Sequence, residues 1–356
     1  MEISKNKTAI IFSLVLFCII SILAIYSTSL NAEYITKQVI WYAAGFLIII
    51  FVEKRNIKKL IKHAWFIYII TNIVLLLLLI IGKEINGSKS WFIIPGVGSI
   101  QPSEFAKISL ILINIRILTK HKGKKYIDDI KLFFKIMLVT IIPGILTFLQ
   151  PDTGIVIIYF LISLVMLYVY GIRKGIFIVL AISLITSLLL FALFYFCYQD
   201  TFINIFGTSF FYRIDRLINW SNNSGMQLTN SIAIIKAAGL FGFGIGNTPL
   251  YIPEAHTDFI FSIFANNFGL VGILFLIGLI IMFDYNIYEL MKKTNKRIYK
   301  YLVIGFLTII IYQQIQNIGM NIGLLPITGI TLPFISYGGS SLLSYMIMIG
   351  IIKGID

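Results

Sequence analysis

The chain has 356 residues, of which 58% are hydrophobic and 12% charged, with a mean hydropathy of +0.93. Soluble domains lie near roughly 45–50% apolar and about 25% charged, so a water-soluble fold is excluded and the chain reads as an integral membrane protein. The formal net charge of +14 would point to nucleic acid in a soluble protein. Here the basic residues flank apolar runs and face anionic lipid, so no nucleic-acid partner is expected.

A helix needs about 20 apolar residues to cross roughly 30 Å of hydrocarbon. Ten stretches approach that length, at approximately 9–28, 36–52, 63–82, 103–119, 131–149, 153–170, 175–196, 260–285, 301–320 and 339–354. They are continuous Leu- and Ile-rich runs without alternation, which predicts helices and not outer-membrane barrel strands. The expected fold is an all-α integral membrane bundle of about ten transmembrane helices. It forms a single transmembrane domain over 1–356, with no appended soluble domain and a large extracellular loop at about 197–259 between helices 7 and 8. The first run follows "MEISKNKT", is longer than a signal-peptide core and lacks a small-residue cleavage site, so it reads as a retained helix. Cys18 and Cys197 have no metal-ligand spacing and read as unpaired thiols. With the N-terminus inside, the inner segments carry 20 Lys and Arg against 6 on the outer ones. The positive-inside rule then places both termini in the cytoplasm.

Five segments with turn residues and polar groups all fall on the outer side, as a surface enzyme requires and an alternating-access transporter does not. In "INGSKSWFIIPGVGSIQPSEFAK", Pro102 suits a first helical turn, and Glu104 and Lys107 follow three residues apart on one face. That pair is either an ordinary ion pair or an inward-facing functional one. "LQPDTG" places Asp152 at the start of the sixth span, where an N-cap is the favoured role. "FYRIDRLINW" carries Arg213 and Arg216, suited to bidentate phosphate contact or to pairing with Asp215 or anionic headgroups. In "PEAHTDF", Asp258 lies where the loop enters the membrane. It is either a helix cap or a general base whose pKa is raised by partial desolvation. His256 reads more readily as a structural residue than as a proton shuttle. "GLLPITGITLPFISYGGSS" breaks the helical pattern at membrane depth and therefore reads as a re-entrant or cavity-lining loop. Ser336 and Ser340 are its hydroxyl candidates for holding an anionic headgroup. Gln313, Gln314, Gln316 and Asn317, in the ninth span, serve either a transport path or interhelical hydrogen bonds.

The strings "SIQPSEFAKISLIL", "QPDTG", "PEAHTDFIFSI", "NIGMNIGLLPITGITLPFISYGGSSLL" and the weaker "AAGLFGFGIGN" occur in an order and spacing that resemble the SEDS family (RodA, FtsW and SpoVE), with a RodA-like leaning from the compact length. The resemblance covers nearly the whole chain. It implies a ten-helix peptidoglycan glycosyltransferase that polymerises lipid II on the outer face of the bacterial cytoplasmic membrane. The implied partner is a class B penicillin-binding protein that cross-links the product. It further implies that Asp258 is the essential carboxylate, supported by Glu104 and Lys107. The chemistry of a pyrophosphate leaving group adds the expectation that Lys107, Arg213 or a divalent cation such as Mg or Mn steadies it. Alternative readings are a lipid II flippase or transporter and a non-catalytic scaffold for the penicillin-binding protein. The chain departs from the family pattern at Ser90, Phe243, Asn266 and Asn267, where charged residues are usual, which puts substrate handling in question.

Overall fold

The computed structural model describes residues 2–29, 32–85, 88–94, 98–123, 125–208, 211 and 225–355. In chain order the elements are α1 (Glu2–Ser29), α2 (Ala32–Glu53), α3 (Ile57–Lys62), α4 (Ala64–Ile81), β1 (Lys83–Ile85), β2 (Ser88–Ile94) and β3 (Gly98–Ile100). They continue with α5 (Pro102–Lys120), α6 (Tyr126–Phe148), α7 (Thr153–Tyr170), α8 (Lys174–Cys197), α9 (Gln199–Phe206) and α10 (Met226–Ala237). The last three are α11 (Ile260–Lys293), α12 (Arg297–Asn321) and α13 (Gly339–Lys353). Each of the ten apolar stretches coincides with a helix. Among the described residues, eight helices are long and apolar enough to cross a membrane. The other two stretches are α5, whose 19 residues include Glu104, Lys107, Arg116 and Lys120, and α13, with 15 residues.

α5 lies at the centre, packed by α4, α6, α7, α12 and α13. Lipid supplies no hydrophobic force between helices, so close packing and interhelical hydrogen bonds hold the bundle. Asn114 Nδ2 donates to Ser163 Oγ at 2.9 Å, and the Thr140 hydroxyl lies 2.6 Å from the same oxygen, joining α5, α6 and α7. α13 lies along α2 on small residues: a Cβ at Gly45 would stand 2.7 Å from Met346 Cγ, and one at Gly350 would stand 2.9 Å from Val52 Cβ.

Two features add to the all-helical reading. The strands β1, β2 and β3 form a small antiparallel sheet in that order, with Phe92 opposite Ile100. The segment expected as a loop at 197–259 contains α9 and α10, and α10 packs on α11 and α12. α11 is broken at Gly269, with φ 60° and ψ −158°, a region closed to residues with a side chain. The chain at 239–244 fills the break. Phe243 N donates to Asn266 O at 2.8 Å, and Leu270 N donates to Gly239 O at 3.0 Å, so the groups freed by the kink keep partners. Asn266 and Asn267 sit at this joint as neutral, buried amides: Ser27 Oγ donates to Asn267 Oδ1 at 2.8 Å, and Asn266 Nδ2 donates to Asn247 O at 3.0 Å.

Candidate active site

Four of the five polar segments converge at one end of the bundle around a cavity of about 340 Å³. Chain order explains this. α5, α7, α11 and α13 all begin at that end, so the residues at their first turns meet there: Glu104, Asp152, Asp258 and Ser340. The unpaired amides of helix N-termini carry partial positive charge, so this end favours anions.

Asp258 is the last polar residue before α11, on a turn where Asp258 N donates to Glu254 O at 3.1 Å. Glu254 holds this turn at φ 54°. The backbone of Asp258 is fixed from α12: Asn317 Nδ2 and Asn321 Nδ2 donate to its carbonyl at 2.9 and 3.0 Å. Asn317 also donates to Ile330 O at 2.7 Å, tying the turn to the 322–338 segment. The carboxyl is left on the cavity wall, where burial and then the charge of Glu254 push its pKa up to about 6. The α11 cap is Phe259, which makes no side-chain cap bond, so Asp258 is not spent as a helix cap.

Asp152 is an N-cap, accepting from Ile155 N at 3.2 Å, and it also lines the cavity. Gln101 Nε2 donates to its other oxygen at 2.9 Å, and burial raises it to about 6. Glu104 reaches the wall, whereas Lys107 stands behind it. Their atoms are 2.7 Å apart, with side chains 5% and 1% exposed, so the pair is an interior one. Ser344 Oγ donates to Glu104 Oε2 at 3.2 Å, and the Lys107 ammonium lies 5.2 Å above the Tyr345 ring. The Tyr345 hydroxyl donates to Gln313 Oε1 at 2.9 Å, which joins the pair to α12.

The remaining candidates divide. Ser340 is on the wall, accepting from Gln101 N at 2.9 Å. Ser336 is off it: its hydroxyl donates to Thr257 O at 2.6 Å and accepts from Leu332 N at 2.8 Å, so it fixes the loops and leaves the ligand to others. His256 also lies off the wall, between the rings of Tyr34 at 4.7 Å and Tyr337 at 5.5 Å, and burial lowers its pKa. This is an aromatic packing role. Arg213 and Arg216 lie outside the described residues.

Sequence reading missed Glu254, Thr257 and the sheet serines on the wall, and the role of the α12 amides. Gln316 Nε2 donates to Pro326 O at 2.9 Å, so Gln316 and Asn317 hold the 322–338 segment; Gln313 accepts from Tyr345 on α13, and Gln314 turns to Asp284 on α11 at 3.3 Å. Interhelical bonding is thus the use the structure makes of them. Among the departures, only Ser90 reaches the cavity, where its hydroxyl donates to Gln150 O at 3.0 Å. Strand alternation turns the neighbouring Lys89 to the opposite face. Among the described residues the wall carries four carboxylates and no Lys or Arg, and no three acidic, His or Cys side chains converge to hold a metal by themselves.

Comparison with known proteins identifies the lineage and the fold. A family model described as "Cell cycle protein" (FtsW, RodA, SpoVE) matches residues 5–356. A probable peptidoglycan glycosyltransferase FtsW of Coxiella burnetii is 33% identical, covering 90% of this chain and 85% of that protein. Its counterpart in Bacillus subtilis is 31% identical over 98% and 90%. A chain of a solved peptidoglycan synthase complex, described for its coordination of polymerization and crosslinking, superposes with a TM-score of 0.78 at 23% identity, covering 97% of this chain and 95% of that one. The crystal structure of the rod shape determining protein RodA of Thermus thermophilus gives 0.71 at 24% identity, covering 97% and 94%. These two show the fold, and the sequence matches show the lineage: the chain belongs to the FtsW, RodA and SpoVE family of membrane proteins.

Proposed function

We propose that this peptidoglycan glycosyltransferase polymerises lipid II in the cavity beside Asp258, at the outer face of the bacterial cytoplasmic membrane with both termini in the cytoplasm. The observation that carries the reading is Asp258 itself, a partly desolvated carboxylate held by its backbone, with its side chain on the cavity wall beside the Thr257 hydroxyl. A sugar joined to a polyprenyl pyrophosphate brings its own leaving group. The step left to the protein is removal of the acceptor 4-hydroxyl proton as that oxygen bonds to C1 of the donor. The proton passes to Asp258, the C1–O bond breaks, and the electron pair leaves with the pyrophosphate. A carboxylate with a pKa near 6 is ionised at neutral pH and basic enough to take that proton.

The departing pyrophosphate meets the N-termini of α5, α7 and α13, with Ser340 and Ser341 on the wall at the last of these. Lys107 contributes charge only through Glu104. An acidic wall facing a pyrophosphate would suit a Mg or Mn ion held by a carboxylate other than the base, with Asp152 the candidate ligand. When bound, such an ion neutralises developing phosphate charge. Arg213 and Arg216 are further candidates for that charge. A class B penicillin-binding protein, which cross-links glycan, is the expected partner.

Purified protein incubated with lipid II is expected to yield glycan polymer. Asp258→Ala, folded by thermal and size-exclusion criteria, is expected to yield none. Polymer of the same length and rate from the variant contradicts the assignment, and transfer of labelled lipid II across liposomes without polymer favours a flippase.

A further inference from the structure

A second cavity, of about 280 Å³, lies at the opposite end of the bundle. α5 begins at the carboxylate cavity and ends here: Glu104 and Lys120 are separated along its axis by about 24 Å at the rise of an α-helix. The rim carries Lys120 from the end of α5, Lys122 just after it, and Lys131 and Lys135 from α6, and Ile117 and Leu132 form an apolar floor. All four ammonium groups belong to exposed residues, and none is ion-paired among the described residues. The one carboxylate on the wall, Asp128, is engaged as the α6 cap, accepting from Lys125 N at 3.1 Å. His121 adds a polar atom: its Nδ1 lies 2.7 Å from the Tyr170 hydroxyl, while its Nε2 is buried with no hydrogen-bond partner among the described residues. With the tyrosine donating to Nδ1, Nε2 carries the ring proton and stays an unpaired donor behind the cavity wall.

The site continues into the membrane. Lys131, Lys135, Leu138, Ile142 and Ile145 recur at the spacing of one helix face, and all are exposed. The upper part of that face is a bare apolar stripe beginning one turn from the charges. A soluble anion would use the cavity alone; charge and stripe together match a headgroup with its chains.

We propose that this cavity binds the phosphodiester headgroup of an anionic glycerophospholipid, whose acyl chains run along the exposed face of α6. The long lysine stems bring their ammonium groups down to headgroup level from within the span.

The test is native mass spectrometry of the purified full chain titrated with phosphatidylglycerol or phosphatidylcholine. K131Q/K135Q is expected to bind phosphatidylglycerol about tenfold more weakly than the wild type and phosphatidylcholine equally. K131R/K135R is expected to restore binding, and K58Q/K59Q, altered on α3 away from the cavity, to leave it unchanged. Equal phosphatidylglycerol binding by K131Q/K135Q overturns the proposal, as does an equal loss in K58Q/K59Q, which marks a diffuse basic surface. Displacement of the lipid by excess inorganic phosphate also overturns it, in favour of a soluble-anion site. Because the readout is lipid binding and not polymer, either result leaves the glycosyltransferase reading to its own experiment.

Discussion

α8 and α12 are both long enough to cross a membrane, yet they do opposite work. Among the described residues, only Ile176 and Tyr195 of the 24 in α8 are fully buried, and its middle, 181–190, is exposed throughout. α12 has 25 residues, sixteen of them buried, including Gln313, Gln314, Gln316, Asn317 and Asn321. Lipid tails accept apolar side chains as readily as a protein interior does, so an oily helix gains little by packing, whereas amides in hydrocarbon must find partners inside the bundle. The polar helix is therefore the one drawn to the centre, and its amides hold the turn that presents Asp258.

The contrast can be broken most severely at α5, where Lys107→Ala strands Glu104 as a buried charge. The expected loss is about 3–5 kcal/mol of stability, read by thermal unfolding in detergent; a loss no larger than that of a surface lysine variant would mean the pair is hydrated. Asn317→Ala removes donors from two carbonyls, those of Asp258 and Ile330, and is expected to cost about 1–3 kcal/mol. It should also lower polymerisation sharply at unchanged expression, because the turn loses its register. Leu189→Ala on α8 provides the opposite pole. Its side chain is 65% exposed, and the change is expected to stay within about 0.5 kcal/mol and to leave the rate untouched. A large effect there would show that α8 has a packing partner.

Insertion was the most legible property of this sequence, since each apolar run became a helix and four of the five polar segments between alternate spans gathered at one end. Glu104, Asp152 and Asp258 were legible for the same reason: an acid beside a membrane span needs a partner or a task. Three things were not. Hydropathy does not say which span lies in the middle, so the α12 amides kept two readings until Asn317 and Asn321 were seen on the carbonyl of Asp258. The strands at 83–100 are short and punctuated by Gly and Pro, which reads as turn. Proximity in sequence also overstated His256 and Ser336, whose neighbours line the cavity while they support it from behind; Lys107 supports Glu104 from behind as its spacing suggested. The missing charges at Asn266 and Asn267 had looked like a change to the site, but those amides belong to the kink of α11.

The central claim is that one carboxylate, Asp258, is held in a partly desolvated place and works as a base. The pH dependence of lipid II polymerisation tests it most directly, because a raised carboxyl must lose its proton before it can accept one. The rate should rise about tenfold per pH unit on the acid side, bend near pH 6 and level off above it. A rate that is flat from acid to neutral pH, or that falls as pH rises through 6, would contradict the account.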